Sequence, residues 1–211
     1  MSDREPIFNI PTATKILLGL VIVVHIILSF VDQDLSHRLI INLAFFPQAL
    51  AQGVDIADLT ALITFQFLHG DTVHLIINSL GILAFAAAVE RRAGGWPMVD
   101  IFLICGVAGA LGHAIATGFQ PVPLVGASGG LSGLFAVVLL ILQERGHYAP
   151  GVLALLPVTI VWIALNVVFG LMGVPGAPLI SVAWIAHIAG FLCGYPLGIW
   201  ALKHRGVSEE R

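Results

Sequence analysis

Along the chain the apolar residues gather into six runs, at about 15–31, 70–89, 97–118, 128–143, 151–172 and 180–201, each bounded by Pro, Gly or charge. A helix rises about 1.5 Å per residue and a bilayer core is about 30 Å thick, so runs near 20 residues predict membrane-spanning helices. The first run could be read as a secretory signal, but no small-x-small cleavage site follows Phe30-Val31-Asp32, and it is expected to stay as a helix. From Asp32 to Ile63 the pattern changes: polar and apolar residues mix, and Pro47 and Gly53 interrupt them. That stretch is expected to be a long loop resting in the membrane interface. The division that follows is a short N-terminus (1–14), a membrane domain (15–202) and a C-terminal tail (203–211).

Composition agrees with this pattern. Of 211 residues 58% are hydrophobic and 10% charged, and the mean hydropathy of +1.01 lies far outside the range of a soluble domain. The fold class is therefore an all-α, polytopic six-helix bundle in contact with the lipid bilayer. A net charge of −3 with no basic cluster beyond Arg91-Arg92 argues against a nucleic-acid partner. Cys105 and Cys193 lie inside apolar runs and read as small buried hydrophobes, with no disulfide and no metal inferred. Basic residues mark the cytoplasmic side. With six crossings, eight of the nine fall on one side (Arg4, Lys15, Arg91, Arg92, Arg145, Lys203, Arg205 and Arg211) and only Arg38 on the other. Both termini are thus expected in the cytoplasm, and runs two, four and six each enter from outside.

Polar side chains in a spanning helix are costly, and they mark function when they gather. His74 and Asn78 are four apart near the start of run two and share a helix face. Ser128 opens run four within Val125-Gly126-Ala127-Ser128-Gly129-Gly130, and His187 lies about seven residues into run six. All three runs enter from the same face, so these residues reach one layer. A serine hydroxyl becomes a nucleophile when a base takes its proton, and histidine suits that task near neutrality. Ser128 and His187 can be such a pair, while the Asn78 amide, a His74 ring N–H and the Ser128 backbone N–H can stabilise an oxyanion. The helix dipole at Ser128 favours negative charge, and Gly126 and Gly129 allow a tight turn and close approach. No carboxylate in the outer half is placed to orient His187, so a Ser–His dyad without an acid is expected.

Each feature alone has a plainer reading. A Gly-x-Ser-Gly stretch in a membrane helix often serves packing, as Gly129-x-x-x-Gly133 and Gly190-x-x-x-Gly194 are expected to do. A single intramembrane histidine is as readily structural as functional, and His25 and His113 are read as structural or lipid-interface residues. The joint occurrence at one depth is what favours chemistry.

Three stretches then resemble one family. Phe67-Leu68-His69-Gly70-Asp71-Thr72-Val73-His74-Leu75-Ile76-Ile77-Asn78, continuing to Glu90, resembles the second helix of the rhomboid intramembrane proteases with its His-x-x-x-Asn signature. Gly126-Ala127-Ser128-Gly129 resembles their nucleophile motif, and Ala186-His187-Ile188-Ala189-Gly190 their sixth helix; the likeness covers about 60–200. It implies a serine endopeptidase without cofactor that cleaves transmembrane segments of other proteins near their outer end through an acyl-enzyme. Ser128 and His187 would be catalytic, His74 and Asn78 on the oxyanion, and Gly126, Gly129 and Gly190 supporting. His69 would help hold the loop before helix two, and Glu90 would support that same loop.

Three positions depart from the family pattern. Thr60 and Ala61 stand where Trp-Arg is frequent, which removes an anchor of the first loop, and Ser132 stands where many members place an aromatic against the catalytic histidine. Ser132 also opens a second frame, Gly130-Leu131-Ser132-Gly133; Ser128 is preferred because Ser132 would sit a turn deeper. A catalytically silent rhomboid-like binder of transmembrane clients is the alternative function, and a histidine-ligated haem or metal protein a further one. The compact six-helix form points to a bacterial inner membrane.

Overall fold

The computed structural model describes residues 9–172 and 183–205. Among these, ten helices follow in order: α1 (Thr12–Phe30), α2 (Gln33–Leu43), α3 (Ala49–Gln52), α4 (Ile56–Thr64), α5 (Thr72–Gly81), α6 (Ala87–Ala93), α7 (Gly95–Ala116), α8 (Ser128–Glu144), α9 (Leu156–Met172) and α10 (Trp184–Arg205). A π-helical turn, Ile82–Ala86, joins α5 to α6, and a 3-10 turn, Val152–Leu155, leads into α9, so that Thr72–Ala93 and Val152–Met172 each run as one rod. Five rods are long and apolar enough to cross a membrane, and α8, with 17 residues or about 26 Å, is the short sixth. The chain is a membrane-embedded all-α bundle. The spans agree with the six apolar runs, α1 beginning at Thr12 and α10 continuing to Arg205. Arg4, Arg211 and the first residues of the sixth run (180–182) lie outside the described residues.

The stretch from Asp32 to Ile63 differs from the expected loop, because its carboxylates cap helices. Asp32 accepts from the backbone N–H groups of Asp34 and Leu35 to start α2, and Asp55 and Asp58 form a reciprocal capping box on α4. Backbone bonds between Phe45 and Leu124, 3.2 and 2.8 Å long, tie this segment to the loop before α8, and the Thr64 hydroxyl donates to the Leu43 carbonyl. Phe45 and Phe65 bury fully beneath it. These bonds anchor the segment that carries Thr60 and Ala61.

At the centre α7, α8 and α10 pack so closely that backbone meets backbone. A Cβ on Gly190 would collide with the Gly129 carbonyl, one on Gly194 with the Gly133 carbonyl, and one on Gly133 with the Cys105 sulfur. Both Gly-x-x-x-Gly pairs therefore work as packing devices. The peripheral rods are held more loosely. On α1 the exposed Ile16, Leu20, Val23 and Ile27 form a stripe at helical spacing that faces outward from the bundle. On α9 the one buried residue is a polar one, Asn166.

Candidate functional site

Ser128 owes its place to the backbone before it. The Gly126 N–H donates to the Phe65 carbonyl at 2.9 Å, and Gly126 has φ +121, a conformation that side chains rarely tolerate. The chain turns there and enters α8 at Ser128, with Ala127 at the cap position and no side chain capping the helix. The first-turn N–H groups thus lack intrahelical partners. Gly129, expected to assist the turn, is already helical; a Cβ there would lie 3.6 Å from the Gly106 Cα, so its role is packing against α7.

On α10, His187 sits in the first turn, and its Nε2 is 2.7 Å from the Ser128 hydroxyl oxygen. Its Nδ1 is 2.6 Å from the amide oxygen of Asn166, and the Asn166 amide nitrogen donates to the Trp162 carbonyl at 2.8 Å. Ser132 is buried one turn below and donates its hydroxyl back to the Ser128 carbonyl at 2.8 Å, so His187 faces Ser128 and not the second frame.

The second rod contributes the other side. The Asp71 carboxylate accepts from the His74 N–H at 2.9 Å, capping α5 and fixing where His74 begins. The His74 ring lies against Gly126, where a Cβ would come within 2.8 Å of its Nε2. Asn78 is buried, and its amide donates to the His74 carbonyl at 3.1 Å. Ser128, His187, His74, Asn78 and Asn166 all line one cavity of about 810 Å³, with His113 in its wall. Sequence reasoning had read His113 as a structural or lipid-interface residue. The cavity brings together the four residues expected to share a layer.

His69 packs edge-on against His74, ring centroids 5.1 Å apart. It lies in the loop before α5, where burial, followed by the neighbouring His74, lowers its pKa to about 4. The ring is held neutral, because a charge there would lose its hydration and face the His74 ring. Glu90 does not support the same loop. It lies 18 residues along the rod from Thr72, about 27 Å away at the opposite end. There its carboxylate accepts from the Ala13 N–H (2.9 Å), the Thr14 N–H (2.7 Å) and the Thr14 hydroxyl (2.7 Å), pinning the start of α1. Arg92 pairs with Glu144 at 3.0 Å at this end too, so the ends of α1, α6 and α8 share one face.

Asn166 is the site residue the sequence reading missed. Its signal was a spacing: Thr159, Trp162, Asn166 and Gly170 fall on one stripe of α9, opposite Tyr195, Phe191, His187 and Trp184 in reverse order on α10. The Thr159 and Tyr195 hydroxyls are 2.9 Å apart, the Trp162 and Phe191 rings stack with centroids 6.3 Å apart, and Trp184 lies against Gly170.

Comparison with known proteins adds lineage to this geometry. A family model described as the Rhomboid domain matches residues 57–204. The chain is 33% identical over 141 residues to RHOMBOID-like protein 6, mitochondrial, of Arabidopsis thaliana, covering 65% of this chain and 42% of that protein. It is 35% identical over 95 residues to the putative rhomboid protease YdcA of Bacillus subtilis (45% and 47% covered). Over 200 residues it is 24% identical to the rhomboid protease GlpG of Serratia proteamaculans (92% and 64% covered). The matches thus span between about two fifths and two thirds of these relatives' own lengths.

Proposed function

Because this chain belongs to the rhomboid family, we propose that it is an intramembrane serine endopeptidase whose nucleophile is Ser128 and whose general base is His187. The observation that carries the reading is the 2.7 Å contact between the Ser128 hydroxyl and His187 Nε2 in a cavity shared with His74 and Asn78. His187 takes the hydroxyl proton as Ser128 Oγ attacks a peptide carbonyl. The oxyanion is met by the free Ser128 N–H, the His74 ring and the remaining Asn78 amide hydrogen. Each such donor is worth about 3–4 kcal/mol in a dry site. His187 then returns the proton to the leaving amine, giving the acyl-enzyme, and next deprotonates the water that releases it.

By likeness to the family, the substrates are transmembrane segments of other proteins cut near their outer end, and the scissile bond must leave its own helix to be attacked. The bias of basic residues toward the Glu90 end supports a cytoplasmic placement of that face and of both termini, and the compact six-helix form supports a bacterial inner membrane. A second reading, a silent binder of transmembrane clients, draws on relatives named only as rhomboid-like. The test is cleavage of single-span reporters in proteoliposomes. Wild type is expected to cut them, and Ser128→Ala and His187→Ala to leave them whole. Cleavage by Ser128→Ala would overturn the nucleophile, while client capture without cleavage by wild type would favour the binder.

A further inference from the structure

We propose that Asn166 is a positioning residue that fixes the tautomer and orientation of His187, an inference that rests on the protease reading above. The argument begins with the amide itself. Asn166 donates its amide nitrogen to the Trp162 carbonyl, 2.8 Å away on the preceding turn of α9. The reversed amide would set two oxygens against each other at that distance, so the oxygen must point to His187. At 2.6 Å an amide oxygen only accepts, and His187 Nδ1 must carry the proton. The lone pair is then left on Nε2, the nitrogen 2.7 Å from the Ser128 hydroxyl. A chain of three bonds, from the Trp162 carbonyl to Ser128, thus sets which ring nitrogen is the base.

The arrangement also accounts for Ser132. With a hydroxyl turned back onto its own helix at that position, nothing on α8 stacks on the imidazole, and the orienting contact comes from α9 instead. Asn166 is neutral, so it orients the ring without adding a charge to stabilise the imidazolium. An isolated carboxylate would cost more at this depth. A neutral amide serves the same orienting part in Cys-His-Asn proteases. Asn166 is also the one buried residue of α9, so the docking of that helix is coupled to the orientation of the base.

The test compares Asn166→Leu, Asn166→Ser and Asn166→Asp, reading reporter cleavage in proteoliposomes beside the rate of labelling by a small fluorophosphonate. In Asn166→Leu and Asn166→Ser, kcat is expected to fall on the order of 10²-fold, the cost of about 1 Å of misplacement. KM should stay within about twofold and labelling should slow in the same ratio. Asn166→Asp should recover most of both rates as the neutral acid, whose carbonyl oxygen accepts from the same Nδ1–H while its O–H replaces the amide donor to the Trp162 carbonyl. Wild-type labelling in Asn166→Leu or Asn166→Ser overturns the proposal. Equal loss in all three variants overturns it too, because a merely structural residue would not be rescued by the acceptor. Asn166→Ser keeps the test open should Asn166→Leu not fold. Loss of labelling in Ser128→Ala with these outcomes reversed would leave the protease reading standing without Asn166.

Discussion

Helix α10 presents two faces to the bundle, and they are built by different means. Toward α8 the contact is backbone on backbone: Gly190 and Gly194 lie on the carbonyls of Gly129 and Gly133, with no side chain between. Toward α9 the contact is a ladder of side chains, Thr159 with Tyr195, Trp162 with Phe191, Asn166 with His187. The first face sets the distance between Ser128 and His187 and has no slack, because interiors are close-packed. The second sets how the imidazole is turned, and it hangs on a helix whose outer side, including Ile160, Val161 and Val168, is exposed. A serine and histidine can be brought within reach by sterics alone. Choosing the right ring nitrogen takes a polar partner.

This difference separates what substitution should do on each face. On the α8 face, Gly190→Ala drives a methyl into a carbonyl that cannot yield, and overpacking of this kind costs about 1–3 kcal/mol or more. Gly190→Ala is expected to lower the thermal midpoint and abolish fluorophosphonate labelling together; a variant that keeps its midpoint would dissolve the distinction. On the α9 face, Trp162→Ala removes the ring stacked between Phe135 and Phe191. The half-buried ring should cost less than the roughly 3–5 kcal/mol of a fully buried one. The folded protein should survive while labelling slows about tenfold, because α9, which carries Asn166, loses its ring contact with α10 although the Trp162 carbonyl is kept. A drop in midpoint as large as that of Gly190→Ala would contradict the account. Smallest is Thr159→Val, which removes one hydroxyl partner of Tyr195, worth about 1 kcal/mol. Two turns from His187, it should leave labelling within about twofold; a tenfold loss would show that the ladder acts as a unit.

Much of this architecture was legible along the chain. Apolar runs of near-spanning length gave the rods, and costly polar residues at one depth gave Ser128, His187, His74 and Asn78, because hydrocarbon makes such residues conspicuous. Asn166 lay in the most apolar of the spans and was passed over, although the same logic applies to it. What reveals it is pairing: the stripe Thr159, Trp162, Asn166 means little until set against α10, and which helix neighbours which is a tertiary fact. The segment 32–63 was misread for a local reason, since Asp32 and the Asp55/Asp58 box are helix starts that Pro47 and Gly53 obscured. Glu90 was placed by resemblance at the wrong end of its own helix, an error that counting residues at 1.5 Å each would have caught.

The central claim is that Ser128 is the nucleophile and His187 its base. Its most direct test is fluorophosphonate labelling of the detergent-solubilised protein, with the modified residue located by peptide mass, in wild type, Ser128→Ala, Ser132→Ala and His187→Ala. The account predicts a single adduct on Ser128 in wild type and in Ser132→Ala, and none in Ser128→Ala or His187→Ala. An adduct on Ser132, or labelling that survives in Ser128→Ala, would contradict it.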